Sequence, residues 1–381
     1  MPTSPEPELL TNACTRCVMR QEDDPDLTLV DGVCNHCRRY LELLPSRVTT
    51  GAAGEKALDD LRVRMRKART RQGYDCVIGV SGGVDSTYVA LLVKDLGLNP
   101  LAVHVDNGWN SELAVHNIEK TVRQLDIDLH TEVLDLREFY DLQRAFLISS
   151  TPDGDIPADH AIQATLWKVA RRHGIRYIVS GMNFRTEAIN VPSWSYGHSD
   201  WRYIRSVHAA HGRRKLKKYP HFGFLELFYT TVLRQVRIVS VLNYIDYDKS
   251  AAMSQLEERI GWTAYGGKHF ESIYTRFYQG FFLPEKFNID KRRGHLSDLI
   301  NSGQLSRDEA LTQMQTPEYD AKLRQRDQDL FLKKLDLSAD EFSSIMVTPP
   351  RSFREYRNSY DFVQRLRTIV NALRLRGWYP K

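Results

Sequence analysis

The residues with the clearest chemical meaning form one uninterrupted string: Val80, Ser81, Gly82, Gly83, Val84, Asp85, Ser86 and Thr87. Two adjacent glycines let the backbone approach a polyphosphate closely, and the N–H groups that start a following helix favour a bound anion. Asp85 would repel phosphate unless a divalent cation lay between them, so we expect it to hold Mg²⁺. A serine-rich turn with a helix cap would explain the small residues but not the whole string. We therefore predict a phosphate-binding loop, although the Walker ending is absent.

Four of the five cysteines form two close pairs. Cys14 and Cys17 are two residues apart, as are Cys34 and Cys37, and sixteen residues separate the pairs. This spacing is typical of a zinc ribbon or knuckle with four thiolate ligands and no open position, so the predicted role of the zinc is structural. An iron–sulfur cluster and a metal-free lobe are the alternatives. Cys76 lies in an apolar segment and is predicted to be buried.

The elements that must position these residues follow from the hydrophobic pattern. It predicts strands at 76–80, 101–105, 129–134 and 176–180, and helices at 84–96, 113–125 and 158–173. Strands that alternate with helices in this way indicate an α/β fold with a parallel sheet covered on both faces. Binding sites of such sheets form beyond the carboxyl ends of the strands. The phosphate loop is expected at that edge.

The 381-residue chain divides into three predicted regions: a cysteine lobe at 1–50, an α/β domain at 51–300 and a charged helical region at 301–381. Small residues at 49–54 predict a linker. The acidic, proline-rich start lacks the features of a secretory signal, so a cytoplasmic location is expected. The longest apolar run, 225–245, contains three charged residues, which argues against a membrane span.

The phosphate-loop string resembles the signature of the N-type ATP pyrophosphatases, or PP-loop family. The resemblance implies a modified Rossmann-like sheet and cleavage of ATP between its α and β phosphates, which yields AMP and pyrophosphate. It also implies that the residues from Ser81 to Thr87 bind the pyrophosphate and magnesium. By the same resemblance, Val105 and Asp106 would lie beside the adenosine, and Gly181 would border the α-phosphate.

Motifs outside the loop narrow the resemblance. They are Cys-Thr-Arg-Cys-Val-Met at 14–19, Tyr-Gly-Gly-Lys-His-Phe-Glu at 265–271, Thr-Arg-Phe-Tyr-Gln-Gly at 275–280 and Leu-Pro-Glu-Lys-Phe-Asn-Ile-Asp-Lys-Arg-Arg at 283–293. Together they look like the N-acetyl sugar amidotransferases of bacterial surface-polysaccharide synthesis, over about residues 12–350. That resemblance implies conversion of an acetamido group to an acetamidino group, in lipopolysaccharide or in sialic-acid-like nonulosonates.

The amidination chemistry needs cations to stabilise the departing pyrophosphate. The candidates are Lys268, Lys286, Lys291 and Arg292, with Asp85 as the magnesium ligand. Each of these cations could equally be a solvated surface charge. The aromatic stretch at 194–203 is predicted to be a loop that helps to form the acceptor pocket.

The expected co-substrates and partners are ATP, Mg²⁺, an N-acetylated sugar that is nucleotide-linked or a nonulosonate, and ammonia. No glutaminase nucleophile is visible, so the family resemblance implies a separate glutaminase subunit. Basic stretches at 62–71 and 213–218 keep a PP-loop tRNA-modifying enzyme, for thiolation or lysidine formation, as the main alternative. A net charge of only +5 makes nucleic acid the less favoured partner. A non-enzymatic zinc scaffold with a degenerate nucleotide fold is the third possibility.

Overall fold

The computed structural model describes residues 12–267, 270–316 and 320–375. A small antiparallel hairpin, β1 (Leu29–Val30) and β2 (Val33–Cys34), precedes a five-stranded parallel sheet. The strands of that sheet are β3 (Cys76–Gly79), β4 (Pro100–Asp106), β5 (Asp128–Val133), β6 (Tyr177–Ser180) and β7 (Arg237–Ser240). Their order in the sheet is β5-β4-β3-β6-β7. The predicted Rossmann-like parallel sheet is confirmed.

The helices before the last strand include the three that the sequence predicts, at 84–96, 113–125 and 158–173. In chain order, the helices before that strand are α1 (Asn35–Arg47), α2 (Gly51–Lys67), α3 (Val84–Asp95), α4 (Glu112–Gln124), α5 (Leu136–Ile148), α6 (Ile156–His173), α7 (Phe184–Glu187), α8 (Trp201–His211) and α9 (Phe224–Phe228). A π-helical turn, Tyr229–Leu233, continues α9 without a break.

The helices after the sheet are shorter and more numerous than the sequence indicated. They are α10 (Lys249–Ile260), α11 (Ile273–Phe277), α12 (Leu283–Phe287), α13 (Arg292–Asn301), α14 (Arg307–Gln315), α15 (Ala321–Leu335), α16 (Ala339–Val347) and α17 (Tyr360–Leu375). A π-helical turn, Tyr278–Phe282, joins α11 to α12. The predicted helical character of the C-terminal region is confirmed.

The strands are buried according to their place in the sheet. β3 and β4 are central and almost fully buried, as expected for parallel strands with helices on both faces. One face packs against α2, α3, α4 and α10, and the other face packs against α6. β5 and β7 lie at the two edges, and every residue of both strands is at least partly exposed.

Two local predictions were wrong, each for a packing reason. Residues 51–54 are not a linker but the first turn of α2, where a Cβ on Gly54 would lie only 2.3 Å from the carbonyl oxygen of Tyr244. The small residues thus permit a close helix contact. The aromatic stretch is a loop only as far as Asp200, whose carboxylate caps α8 by accepting hydrogen bonds from the N–H groups of Arg202 and Tyr203.

The largest buried cluster joins residues from distant parts of the sequence. It contains the four paired cysteines, side chains of α5 and α8, and four residues of the C-terminal helices: Phe331, Leu335, Phe342 and Ile345. Among the residues that the structure describes, no helix has both the length and the apolar character needed to cross a bilayer.

Candidate active site and metal centre

The phosphate loop lies at the point where the order of the strands reverses. The chain leaves β3 toward β4 and β5, then returns to the other side of β3 as β6. The loops that follow β3 and β6 therefore meet at the carboxyl edge, which is where α/β sheets bind ligands. A Cβ on Gly181 would lie 3.1 Å from the carbonyl carbon of Asp85 and 3.2 Å from the nitrogen of Ser86. Only glycine fits this contact without displacing a loop.

Gly82 sets the shape of the phosphate loop. It has a φ of +81°, and a Cβ there would lie 2.6 Å from the carbonyl oxygen of Ala114. Its own carbonyl oxygen accepts hydrogen bonds from Trp262 Nε1 at 2.8 Å and from the Tyr265 hydroxyl at 2.9 Å. The carbonyl is thereby held away from the anion site. Trp262 was not singled out from the sequence, whereas Tyr265 opens the motif at 265–271.

The two loop serines are linked to each other and to the loop backbone. The Oγ atoms of Ser81 and Ser86 are 3.1 Å apart, and the Ser86 hydroxyl donates to the Gly83 carbonyl at 3.0 Å. The Gly83 N–H donates to Ser81 Oγ. Gly83 is also the N-cap residue of α3 and brings no side chain that could cap the helix. The N–H groups of the first turn are thus available to an anion.

Asp85 is held in place by Tyr247, which follows the edge strand β7. The Tyr247 hydroxyl donates a hydrogen bond to Asp85 Oδ1. Burial, together with the carboxylate of Asp85, raises the pKa of Tyr247 well above its ordinary value. Tyr247 therefore remains a neutral donor that orients the carboxylate. Val84 and Thr87, in contrast, turn their side chains into the core and contribute only backbone atoms to the loop.

A lysine that the sequence analysis missed reaches the carboxyl end of β4. Lys334 Nζ donates to the carbonyl oxygen of Gly108 and lies 4.8 Å from the centre of the Trp109 ring. Burial lowers the pKa of Lys334, whereas the charge of Asp106 opposes that shift. Asp106 itself accepts a hydrogen bond from the Gly108 N–H at 2.9 Å. Val105 is buried, so only its backbone lies at this edge.

A second polar group lies at the start of α6, on the same edge of the sheet. Since α6 packs along the sheet and ends immediately before β6, its first turn must lie at the carboxyl edge. Asp155 accepts hydrogen bonds from Gln279 Nε2 at 2.7 Å and from Lys291 Nζ at 3.1 Å. Among the predicted cations that the structure describes, Lys291 is therefore the one that lies beside a carboxylate at this edge of the sheet.

Asp159 completes this polar group and was not singled out from the sequence. It forms no hydrogen bond or ion pair with the described residues, and its side chain is open to solvent. Burial by the surrounding protein and the neighbouring charge of Asp155 nevertheless raise its pKa to about 7, against the opposing effect of Lys291. A carboxyl group with such a pKa can bind or release a proton near neutral pH.

The other predicted cations have contacts of a structural kind. Lys286 Nζ donates to the carbonyl oxygens of Ile345 and Thr348 and so holds the end of α16. Arg292 pairs with the carboxylate of Asp290 two residues earlier, and its Nη1 donates to the carbonyl of Thr316. Lys268 lies outside the described residues. The catalytic role of these three residues remains a prediction.

The four paired cysteines converge as a metal site requires. Their sulfur atoms all lie within 4.8 Å of one another and are buried, and the sulfurs of Cys17 and Cys34 are 3.7 Å apart. Tetrahedral zinc with bonds of about 2.3 Å would place its sulfurs about 3.8 Å apart. Backbone N–H groups also point at the sulfurs, as in the contact from Cys34 N to Cys14 Sγ at 3.3 Å. The donor set therefore fits a four-thiolate metal ion. His36 bonds to Asp24 instead, in agreement with its expected non-ligand role.

The cysteine lobe is attached to the C-terminal helices rather than to the sheet alone. Asn301 Nδ2 donates to Cys37 Sγ at 3.3 Å, and Arg307 donates to the carbonyl oxygens of Cys14 and Cys17. A bound metal would in this way fix the position of α13, whose N-cap residue is Lys291. The lobe and the edge of the active site are thus connected through one helix.

The predicted aromatic stretch borders a large cavity of about 1710 Å³. Tyr196 stacks on Phe353 with ring centres 4.2 Å apart, and Trp201 stacks on His221 at the same separation. Trp194 is buried and donates to the carbonyl of Asp23. The role of this stretch in binding an acceptor remains a prediction.

Comparison with known proteins supports the family resemblance. Residues 271–367 match the model of the LPS biosynthesis protein WbpG-like C-terminal domain. This segment contains the Thr-Arg-Phe-Tyr-Gln-Gly and Asp-Lys-Arg-Arg motifs on which the resemblance was based. Over these residues, the predicted resemblance to proteins of surface-polysaccharide biosynthesis is confirmed.

Relatives with longer alignments share only part of their length with this chain. An uncharacterized protein of Methanocaldococcus jannaschii is 27% identical over 153 residues, which are 39% of this chain and 50% of that protein. A glutamine-hydrolyzing GMP synthase of Thermosipho africanus is 35% identical over 102 residues, 26% of this chain and 20% of the synthase. The chain thus matches about half or less of the length of these relatives.

Among solved structures, the NH3-dependent NAD synthetase of Campylobacter jejuni aligns with 78% of this chain and 96% of its own. The sequence identity is 13% and the TM-score is 0.30. The order of the strands, rather than this distant likeness, defines the fold.

Proposed function

We propose that this protein is an ATP-dependent amidotransferase that converts an acetamido group of an N-acetylated sugar into an acetamidino group in the cytoplasm. One observation carries the proposal: an anion-binding loop with a carboxylate in its first helical turn lies at the switch point of a parallel sheet. The match to a family of surface-polysaccharide biosynthesis supports a sugar as the acceptor.

The oxygen of an amide is a poor leaving group, so the reaction must activate it before ammonia can replace it. In the first step the amide oxygen bonds to the α-phosphorus of ATP, the bond from that phosphorus to the bridging oxygen breaks, and the amide proton is lost. In the second step ammonia bonds to the carbon of the O-adenylated imidate, and the carbon–oxygen bond to AMP breaks. The products are AMP, pyrophosphate and an amidine in which NH replaces the oxygen.

The loop residues have the right chemistry for the departing pyrophosphate. The hydroxyl of Ser81 and the N–H groups at the start of α3 can donate to the negative oxygens. Tyr247 orients Asp85, which would hold magnesium. A magnesium ion bound there would neutralise charge that develops on the pyrophosphate. Zinc at the four cysteines would have a structural role only.

Asp159 is the residue best suited to the ammonia step. Ammonia arrives largely as ammonium at neutral pH, and it must lose a proton before it can attack. A carboxylate with a pKa of about 7 and no hydrogen-bond partner among the described residues can bind ammonium and accept that proton. We assign Lys291 and Asp155, which bond to each other, the role of positioning the start of α6. A separate glutaminase subunit would supply the ammonia.

The test is an assay of the nucleotide products. The full chain is incubated with ATP, Mg²⁺, ammonium and a panel of N-acetylated nucleotide sugars and nonulosonates. We expect sugar-dependent AMP and pyrophosphate, together with a loss of one mass unit from the sugar. Ser81→Ala should lower the rate about 100-fold, because it removes a hydroxyl donor from the anion site. Ser254→Ala is the matched control, since the Ser254 hydroxyl bonds only within α10.

Either of two results would contradict the proposal. Formation of ADP and phosphate would exclude the pyrophosphatase chemistry. AMP formation that depends on bulk tRNA, and not on any sugar, would identify the tRNA-modifying alternative.

A further inference from the structure

The helix α9 exposes an apolar face to solvent, whereas surface helices usually expose a polar face. The residues of α9 and its π-helical continuation that face outward are all large and apolar: Phe224, Leu225, Phe228, Tyr229, Val232 and Leu233. Leu225 is 81% exposed and Leu233 is 64% exposed. Because these residues recur every four positions, they form one continuous stripe, which we call the apolar ridge. An ordinary surface helix would present polar residues here.

The inward face of the same helix is polar and firmly attached. Arg171 of α6 pairs with Glu226 and donates to the Thr230 hydroxyl at 2.8 Å. Thr230 is buried, and Leu227 packs against the core beneath the sheet. The orientation of the helix is therefore fixed by specific contacts, and the ridge is held outward.

Basic clefts lie on both sides of the ridge. The large cavity includes Phe224 and Leu227 in its wall, and its six cations include Arg202, Arg205, Arg214 and Lys215. A second cleft of about 620 Å³ includes Arg234, just after the ridge, and is lined by further cations: Lys67, Arg71, Arg172 and Arg176. These eight cations and Arg234 form no ion pair with the described residues. Both basic stretches noted in the sequence contribute to these clefts.

The large cavity also has Asp200 in its wall, but that carboxylate already accepts hydrogen bonds from Tyr196 and Ser359. Between residues 221 and 245 the only carboxylate is that of Glu226, which is already paired with Arg171. An apolar stripe flanked by unpaired cations is complementary to an anionic lipid bilayer, whose headgroups are negative and whose interior is apolar. A second copy of the chain would instead bring the same cations against their like.

We propose that the apolar ridge, together with its flanking basic clefts, binds the surface of an anionic membrane. The ridge would enter the boundary between headgroups and acyl chains by about 5–10 Å, and the arginines would contact lipid phosphates. This binding is peripheral and spans nothing. The proposal does not depend on the reaction that the enzyme catalyses.

The test is co-sedimentation of the full chain with vesicles. Vesicles of phosphatidylcholine with phosphatidylglycerol are compared with vesicles of phosphatidylcholine alone, at low and at high salt. We expect binding to the anionic vesicles. Leu225→Ser with Leu233→Ser should weaken it at least about tenfold, because two insertable side chains are lost. Val133→Ser with Val347→Ser, at two equally exposed positions elsewhere, should leave it unchanged.

A second pair of variants tests the charges. Arg176→Gln with Arg234→Gln should weaken binding about tenfold at low salt and much less at high salt, because salt screens the surface potential. Circular dichroism confirms that each variant is folded. The proposal is overturned if the wild-type chain does not bind anionic vesicles at low salt. It is equally overturned if the variant with Leu225→Ser and Leu233→Ser binds them as tightly as the wild type. It is also overturned if the leucine variant turns a dimer into a monomer in sedimentation velocity, which would make the ridge an interface between copies.

Discussion

At the residue scale, the site depends on a few positions where two chain segments approach closely. Gly82 and Gly181 are the clearest examples, because their neighbours are backbone atoms that cannot rotate away. Gly82 lets the loop turn against α4, and Gly181 brings the loop after β6 against the start of α3. Two loops thus form the predicted anion site, and they can approach each other this closely because glycine has no side chain.

Gly181→Ala should separate these loops. The new Cβ would lie 3.1 Å from the backbone of Asp85, so the loop must shift by a few tenths of an ångström. We expect AMP formation to fall about tenfold or more, since catalysis depends on positions to within about 1 Å. Gly223→Ala is the control, because no atom lies within 4 Å of its Cβ. Equal rates for the two variants, measured with the sugar acceptor, would argue against this role for Gly181.

Asp159 should give the enzyme a pH dependence near neutrality. Its pKa is raised to about 7 in the folded protein, from 3.8 when solvated. The base form is lost as the pH falls through about 7, so the ammonia-dependent rate should fall there. The rate with Asp159→Asn should be lower and should lack that inflection, and only the steady rise from free ammonia should remain.

Stability provides an independent measurement of the same group. Because the folded chain binds this proton more tightly than the unfolded chain, the free energy of unfolding should decrease as the pH rises from about 4 to 7. Asp159→Asn should remove that decrease and should be more stable than the wild type at pH 8. Parallel thermal melts across this range would show whether the two curves differ in slope.

At the element scale, the cysteine lobe acts through the helix it contacts. The lobe has little core of its own, and its contacts with Asn301 and Arg307 join it to α13 and α14. The helix α13 in turn starts at Lys291, which bonds to Asp155 at the start of α6. The metal site therefore stabilises an element that borders the active site.

Loss of one cysteine ligand should therefore affect both metal content and stability. Cys34→Ser should abolish the one zinc per chain expected by elemental analysis, since three thiolates leave the site incomplete. The melting temperature should fall by about 5–15 °C. Cys76→Ala is the control, because Cys76 is buried in β3, away from the cluster. That variant should keep its zinc, and zinc retention by Cys34→Ser would contradict the four-thiolate site.

At the scale of the whole molecule, the C-terminal helices belong to the main hydrophobic core. Phe331 packs on Trp109 with ring centres 6.0 Å apart, and Trp109 follows directly after the carboxyl end of β4. Arg276 and Asp327 form a two-pronged ion pair, at 2.7 and 2.8 Å, that joins α11 to α15. The helices that match the family model thus complete the edge of the sheet at which the site lies.

Removal of residues 320–381 should consequently unfold the rest of the chain. Four large core side chains would be lost, at about 2–5 kcal/mol each, which is comparable with a typical total stability of about 5–15 kcal/mol. We expect the remaining fragment to lack a cooperative transition in calorimetry, whereas the full chain should show one. A sharp transition in the fragment would instead indicate an independent domain at 51–300.

The sequence by itself determined the features that depend on local pattern. The string from Ser81 to Thr87 predicted a strand, an anion-binding turn and a helix, because glycine freedom and hydrophobic periodicity act over a few residues. The spacing of the cysteines predicted their convergence for the same reason. The alternation of strands and helices predicted a parallel sheet, and that sheet is observed.

Only the tertiary structure decided which distant side chains reach the site. Lys334, Tyr247 and Asp159 come from segments with no recognisable motif, and Lys286 and Arg292 bond to nearby backbone or carboxylate groups despite their motif. The outward face of α9 was equally hidden, since an apolar run in a sequence is expected to be buried. Contacts between residues far apart in the chain decide which face of a helix is covered and which cation forms an ion pair. Local sequence patterns do not predict those contacts.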